Sequence, residues 1–164
     1  MLKLSGAVLI ISAFGLWGFS KSEKLKSRND SLLHIISALA LLENEISYAQ
    51  KSIRDALSLI GTLSNIPLFT AVSENIGTSD MQEVFSSALS ECNMNFSKSD
   101  NQTLLEFSQN LGNLDRVSQI KSILYTKELL KMAQCEAYEE YKKYSRLYRS
   151  SGILLGVLFS LILL

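Results

Sequence analysis

The hydrophobic pattern divides the chain into an apolar start, a mixed middle and an apolar finish. Leu4–Ser20 is seventeen residues without a charge, the lower limit for a helix that crosses a bilayer. The stretch from Ser150 to Leu164 likewise carries no charge. A helix apolar on every side belongs in a deep core or in lipid. The second run is short: fifteen residues at ~1.5 Å each reach about 22 Å, against a hydrocarbon layer of roughly 30 Å. Aromatic and cationic residues flank both runs, as a membrane–water interface selects. Trp17, Phe19 and Lys21 close the first; Tyr138, Tyr141, Tyr144 and Tyr148 interleave with Lys142, Lys143, Arg146 and Arg149 before the second. The expectation is an N-terminal transmembrane anchor over 1–20, a helical bundle over 21–149 and a C-terminal transmembrane segment over 150–164. Trp17, Lys21, Tyr144, Arg146, Tyr148 and Arg149 are the expected membrane-interface residues. A cleaved signal peptide competes for the first run, but its end, Gly-Phe-Ser-Lys after a Trp, is a poor small-x-small cleavage site.

Between these ends the apolar positions follow helical spacing, which makes the fold all-α. Asn29–Asp30 is a reasonable N-cap for a long helix stopped by Gly61. Leu32, Leu39, Ile46, Ile53 and Ile60 keep a seven-residue period, with Ile35, Leu42, Ala49 and Ala56 in the second seam position. That coiled-coil-like pattern is widened by Leu33, Ile36 and Leu41, so packing inside one bundle is preferred to a dimer zipper. Shorter helices follow: Ile66–Ile76 opened by Pro67 and closed by Gly77, one starting at Ser79 with Gln82 in capping-box spacing, and one starting at Ser99 with Gln102. Cys92–Lys98 reads as a loop. Asp115 opens a last helix that continues to the apolar tail without a Gly or Pro break before Gly152. The predicted architecture is an antiparallel helical bundle built on two long helices and flanked by the two transmembrane helices.

Charge adds orientation. The chain has 16 basic and 16 acidic residues, and all but Lys3 lie between Lys21 and Arg149. Lys21, Lys24, Lys26 and Arg28 follow the first run and Lys142, Lys143, Arg146 and Arg149 precede the last, so the positive-inside rule puts the middle in the cytoplasm and both termini outside. The mixed-sign middle gives no clustered footprint for nucleic acid.

Catalytic chemistry is not signalled. His34 is the single histidine and sits among aliphatics at a helix start; Gly61, Gly77 and Gly112 fall at expected helix ends rather than in a phosphate loop. Neither a nucleophile elbow nor a metal-ligand spacing occurs, and Cys92 and Cys135 read as two free thiols. Glu136, Glu139 and Glu140 beside Lys142 and Lys143 read as exposed charge pairs worth little each. A non-enzymatic interaction module without cofactor, metal or small-molecule substrate is expected.

Four ordered patches then carry a resemblance: Lys-Leu-Ser-Gly-Ala-Val-Leu-Ile-Ile (3–11), Leu-Leu-Glu-Asn-Glu-Ile-Ser-Tyr (41–48), Phe107 with Leu111-Gly112, Asp115 and Gln119, and Tyr148…Gly152…Gly156. With the twin hydrophobic ends, the chain resembles the stage III sporulation protein AB family of endospore-forming bacteria. It departs from the pattern at Ser151, where Leu is expected, and in its short tail. The resemblance implies a domain similar to the platform F proteins of type II secretion and type IV pilus machines. It implies a platform subunit in the outer forespore membrane with its soluble domain on the mother-cell side. Its partners would be a cytosolic secretion-type ATPase, other subunits of the channel complex and the lipid membrane. On that basis Glu43, Glu45, Tyr48, Leu111, Gly112 and Asp115 are the candidate partner-binding residues. The competing class is an extracytoplasmic, membrane-anchored helical binding protein.

Overall fold

A computed structural model describes residues 2–77, 80–92, 94–111 and 114–163. The described residues form six α-helices: α1 Leu2–Ser47, α2 Ile53–Leu63, α3 Pro67–Glu74, α4 Met81–Glu91, α5 Lys98–Gln109 and α6 Arg116–Leu163. The all-α expectation holds. Two compact units divide the chain, one of Met1–Asn29 with Cys135–Leu164 and one of Asp30–Gln134. The two long helices, α1 and α6, each contribute to both.

The unit of Asp30–Gln134 has a conventional apolar core. Leu32, Ile35, Leu39, Leu42 and Ile46 of α1 are buried, as are Ile123 and Leu130 of α6 and Ala56, Leu57 and Ile60 of α2. Three fully buried rings link the short helices: Phe85 of α4 meets Phe69 of α3 edge-on at 6.3 Å and Phe107 of α5 at 6.1 Å. Such T-shaped pairs align the positive edge of one ring with the negative face of the next.

Several element boundaries differ from expectation, each for a local reason. The apolar first run does not end a helix at Ser20; α1 continues to Ser47. The long helix expected to reach Ile60 instead breaks after Ser47, where Gln50 takes φ 55° and Ser52 caps α2, its hydroxyl accepting from Asp55 N at 3.2 Å. The expected seven-residue seam does not run through the break: Leu32, Leu39, Ile46, Ala56 and Ile60 are buried, but Ala49 is exposed and Ile53 only half-buried. Gly61 is not a helix stop. It lies inside α2, buried, where an added Cβ would come within 2.6 Å of the Phe69 carbonyl oxygen and clash with Ser73. Its role is close approach to α3, and Ser64 is the C-cap. Asp80 caps α4, while Ser79 lies outside the described residues. The α5 capping box is Ser97 with Asp100 rather than Ser99 with Gln102: Ser97 Oγ accepts from Asp100 N at 3.1 Å and Asp100 Oδ2 accepts from Ser97 N at 2.8 Å. Pro67 opens α3 as expected, and Gly77 takes φ 94° after it.

The expected spanning segments are helical, as the ends of α1 and α6. Among the described residues, however, no helix is long and apolar enough to cross a membrane.

Candidate functional site

Two places concentrate the residues singled out above. The first is one end of the Asp30–Gln134 unit, where α1 stops, α2 begins and α6 begins. A cavity of about 190 Å³ there is lined by Ile46, Lys51, Ser52, Ile53, Leu114, Arg116 and Gln119. Glu45 borders it through Lys51, whose Nζ is 2.7 Å from Glu45 Oε2. That oxygen is buried without an aligned hydrogen bond, so the ion pair is what compensates it. Glu43, two residues earlier, pairs instead with Lys127 of α6 at 2.5 Å, both side chains largely buried. Asp115 is the α6 N-cap: its Oδ2 accepts from Val117 N at 3.1 Å and from Ser118 N at 3.3 Å. Hydrogen bonds from the Ser118 side chain and backbone hold the Asp115 carboxyl below its ordinary range, since they favour the charged form.

The candidate set therefore separates by role. Glu45 and Asp115 reach the same end of the unit. Glu43 is tied down by Lys127, and Leu111 is buried core. Tyr48 is left outermost, 85% exposed at the turn after α1. Gly112 lies outside the described residues. Lys127, Lys51 and Arg116 were not foreseen: Lys127 meets Glu43 only once α6 lies beside α1, Lys51 reaches Glu45 across the turn after α1, and Arg116 lines the cavity.

The second place is the unit of the two chain ends, where the usual order of burial is inverted. The seam between α1 and α6 is made of small or polar residues: Gly18, Gly152 and Gly156 are buried, as are Ser22, Ser160 and Ala137. The large apolar residues face outward, among them Leu9 and Leu16 of α1 and Leu154, Leu158, Leu161 and Ile162 of α6. The backbones are very close. An added Cβ at Gly152 would lie 2.6 Å from the Phe14 carbonyl oxygen, and one at Gly156 would lie 2.8 Å from Ile11 Cα. Phe14 stacks on Phe159 at 5.2 Å beside this seam. The helices run antiparallel, Ile11 facing Gly156 and Gly18 facing Tyr148.

Where the apolar surface ends, the expected interface residues form a collar. Lys21 Nζ lies over the Trp17 ring at 5.9 Å, Lys143 Nζ over Tyr144 at 5.1 Å and the Arg149 guanidinium over Phe19 at 5.2 Å. Tyr144 and Tyr148 pack with ring centres 6.4 Å apart, and Arg146 is exposed. Arg149 also donates to Ser22 Oγ at 3.0 Å and faces Glu23 at 3.5 Å. Farther along, Arg28 pairs with Glu140 at 3.0 Å. Glu140, expected to act only as a local surface charge, thus links two helices. The sequence signal for the seam was the Gly152–Gly156 spacing, small residues one turn apart in an apolar run.

Comparison with known proteins finds one family along the sequence. The sequence model of the stage III sporulation protein AB family matches residues 3–164. Stage III sporulation protein AB of Bacillus subtilis (strain 168) is 29% identical over 171 aligned positions, covering 100% of both chains. A solved structure of stage III sporulation protein AB (SpoIIIAB) superposes with a TM-score of 0.60 at 26% identity, covering 70% of this chain and 96% of that one.

Proposed function

The chain belongs to the stage III sporulation protein AB family, and we propose that it is a non-enzymatic platform subunit of a sporulation channel complex. On this reading the paired chain ends are embedded in the outer forespore membrane, and the Asp30–Gln134 unit lies in the mother-cell cytoplasm. There it couples a cytosolic secretion-type ATPase to the other subunits of the channel. The observation that carries the membrane part is the inverted packing: glycine and serine inside the seam, leucine, isoleucine and phenylalanine outside. In water such a surface is penalised at roughly 25 cal/mol per Å², whereas in lipid it is the favourable arrangement, because close backbone packing then supplies the association energy.

Orientation rests on the cations that flank both runs on their inner sides. The ATPase and the channel subunits come from the resemblance to secretion platforms. For the ATPase, Tyr48 is the proposed contact, since an outward aromatic ring is the kind of anchor protein interfaces use; Glu45, held by Lys51, shapes the surface beneath it. Co-purification tests it: the tagged full chain in detergent retains the ATPase, and Tyr48→Ala loses it with an unchanged thermal midpoint. A wild-type chain that retains no ATPase would refute the platform reading; retention by Tyr48→Ala would move the contact elsewhere.

A further inference from the structure

We propose that the collar below the paired apolar ends is a binding surface for anionic phospholipid headgroups. The inference rests on the reading that those ends lie in lipid, and adds to it which lipid they gather. Residues 21–28 and 142–149 hold eight basic residues, Lys21, Lys24, Lys26, Arg28, Lys142, Lys143, Arg146 and Arg149, against one acidic residue, Glu23. Half of the chain's 16 basic residues therefore fall in two eight-residue segments of a protein with no net charge. Sequence alone separates these segments by more than a hundred positions; the fold brings them to one level. Gly18 meets Tyr148, Ser22 and Glu23 meet Arg149, and Arg28 meets Glu140.

The level is the right one for headgroups. Eight helical residues span about 12 Å, enough to reach through the roughly 5–8 Å polar layer on one side of a bilayer. The belt begins where the outward leucines end, so any phosphate it meets at that boundary is attached to acyl chains. Lys21, Lys24, Lys26, Lys142, Lys143 and Arg146 are exposed, and Arg149 and Arg28 are engaged across the seam. The rings of Trp17, Tyr144 and Phe19 hold Lys21, Lys143 and Arg149 at the apolar edge. Acidic residues return just beyond the belt, at Asp30 and Glu140, which confines the positive field to this layer. Orientation by the positive-inside rule needs only a surplus of cations; an outward-facing ring of them with a single acid is a phosphate-binding surface.

Trp17 is the single tryptophan and stands at the belt, so it reports on neighbouring lipid. The full chain is reconstituted in bilayers of phosphatidylcholine and phosphatidylglycerol with bromine on the acyl chains of one or the other. The expected result is stronger quenching by the brominated anionic lipid, an enrichment on the order of five-fold near the protein. It falls toward one as salt is raised and in the Lys142→Gln, Lys143→Gln, Arg146→Gln triple variant, which leaves the Trp17–Lys21 pair intact. Inorganic phosphate at matched ionic strength leaves the enrichment unchanged; its collapse would mean that phosphate alone is recognised and would overturn the lipid assignment. Equal quenching by both lipids overturns the inference while keeping the membrane reading, and retention of an oligonucleotide in that case would assign the belt to nucleic acid. No quenching by either lipid overturns the membrane reading and this inference with it.

Discussion

Replacing Gly152 by Ala tests the seam at one of its close backbone contacts. The new Cβ would stand 2.6 Å from the Phe14 carbonyl oxygen and 3.2 Å from Gly18 Cα, well inside van der Waals contact. Both neighbours are main-chain atoms of α1, so no side chain can turn aside; the helices must separate. Overpacking of this kind costs ~1–3 kcal/mol, and the better helix propensity of Ala returns up to about 1 kcal/mol. The net expectation is a loss of ~1–2 kcal/mol, read by titrating the full chain from a mild detergent into a denaturing one and following Trp17 fluorescence. Gly15→Ala is the matched control, because nothing lies within 4 Å of a Cβ there; it should be neutral or stabilising by up to about 1 kcal/mol. Equal behaviour of the two variants would refute the close-packed seam, since propensity alone treats the two glycines alike.

Three further changes probe the Asp30–Gln134 unit. Gly61→Ala forces a Cβ against Ser73 and the Phe69 carbonyl and should cost ~1–3 kcal/mol, seen as a lowered thermal midpoint by circular dichroism. A double-mutant cycle on Glu43→Gln and Lys127→Met should return a coupling of about 1–2 kcal/mol, between the values for exposed and buried pairs, because both side chains are largely buried. Asp115 has a folded-state pKa below its unfolded value of 3.8, so its stabilising effect is fully present above that value and is lost as pH falls through the folded pKa. Asp115→Ala should therefore be less stable than the parent chain at neutral pH and equal to it in strong acid, as denaturation at a series of pH values will show.

Much of the fold was legible because burial follows periodicity. Leu32, Ile35, Leu39, Leu42 and Ile46 share one face of α1, and that face is buried. Boundaries were less legible, since they depend on competition between local bonds. Ser97 and Ser99 both precede a plausible capping partner, and Asp100, a charged acceptor held in the core, decides for Ser97. The break after Ser47 carries no Gly or Pro; a left-handed Gln50 and the Ser52 cap make it. Gly61 shows the opposite error: a residue that reads as a stop is there to let α3 approach. At the chain ends the residue types were informative and their arrangement was not. Trp17, Lys21, Tyr144, Tyr148 and Arg149 are singled out by residue type alone, but the opposition of Ser22 to Arg149 and of Arg28 to Glu140 exists only once α1 and α6 are aligned. In the candidate contact set, Tyr48 and Leu111 look alike as apolar letters; only burial separates an exposed ring from a core side chain.

The proposed function requires that the chain ends enter the membrane and leave the Asp30–Gln134 unit in the cytoplasm. Two cysteines of the chain report on that: Cys92 lies inside this unit, and Cys135 is the first residue after it. Cys92 is partly buried, and burial together with nearby Glu91 pushes its thiol up, so reaction near neutral pH falls mainly on exposed Cys135. The measurement is labelling by a membrane-impermeant maleimide in intact and in permeabilised cells, with a denatured sample to count both thiols. Label only after permeabilisation is the expected result. Label in intact cells would place the thiols outside and contradict it.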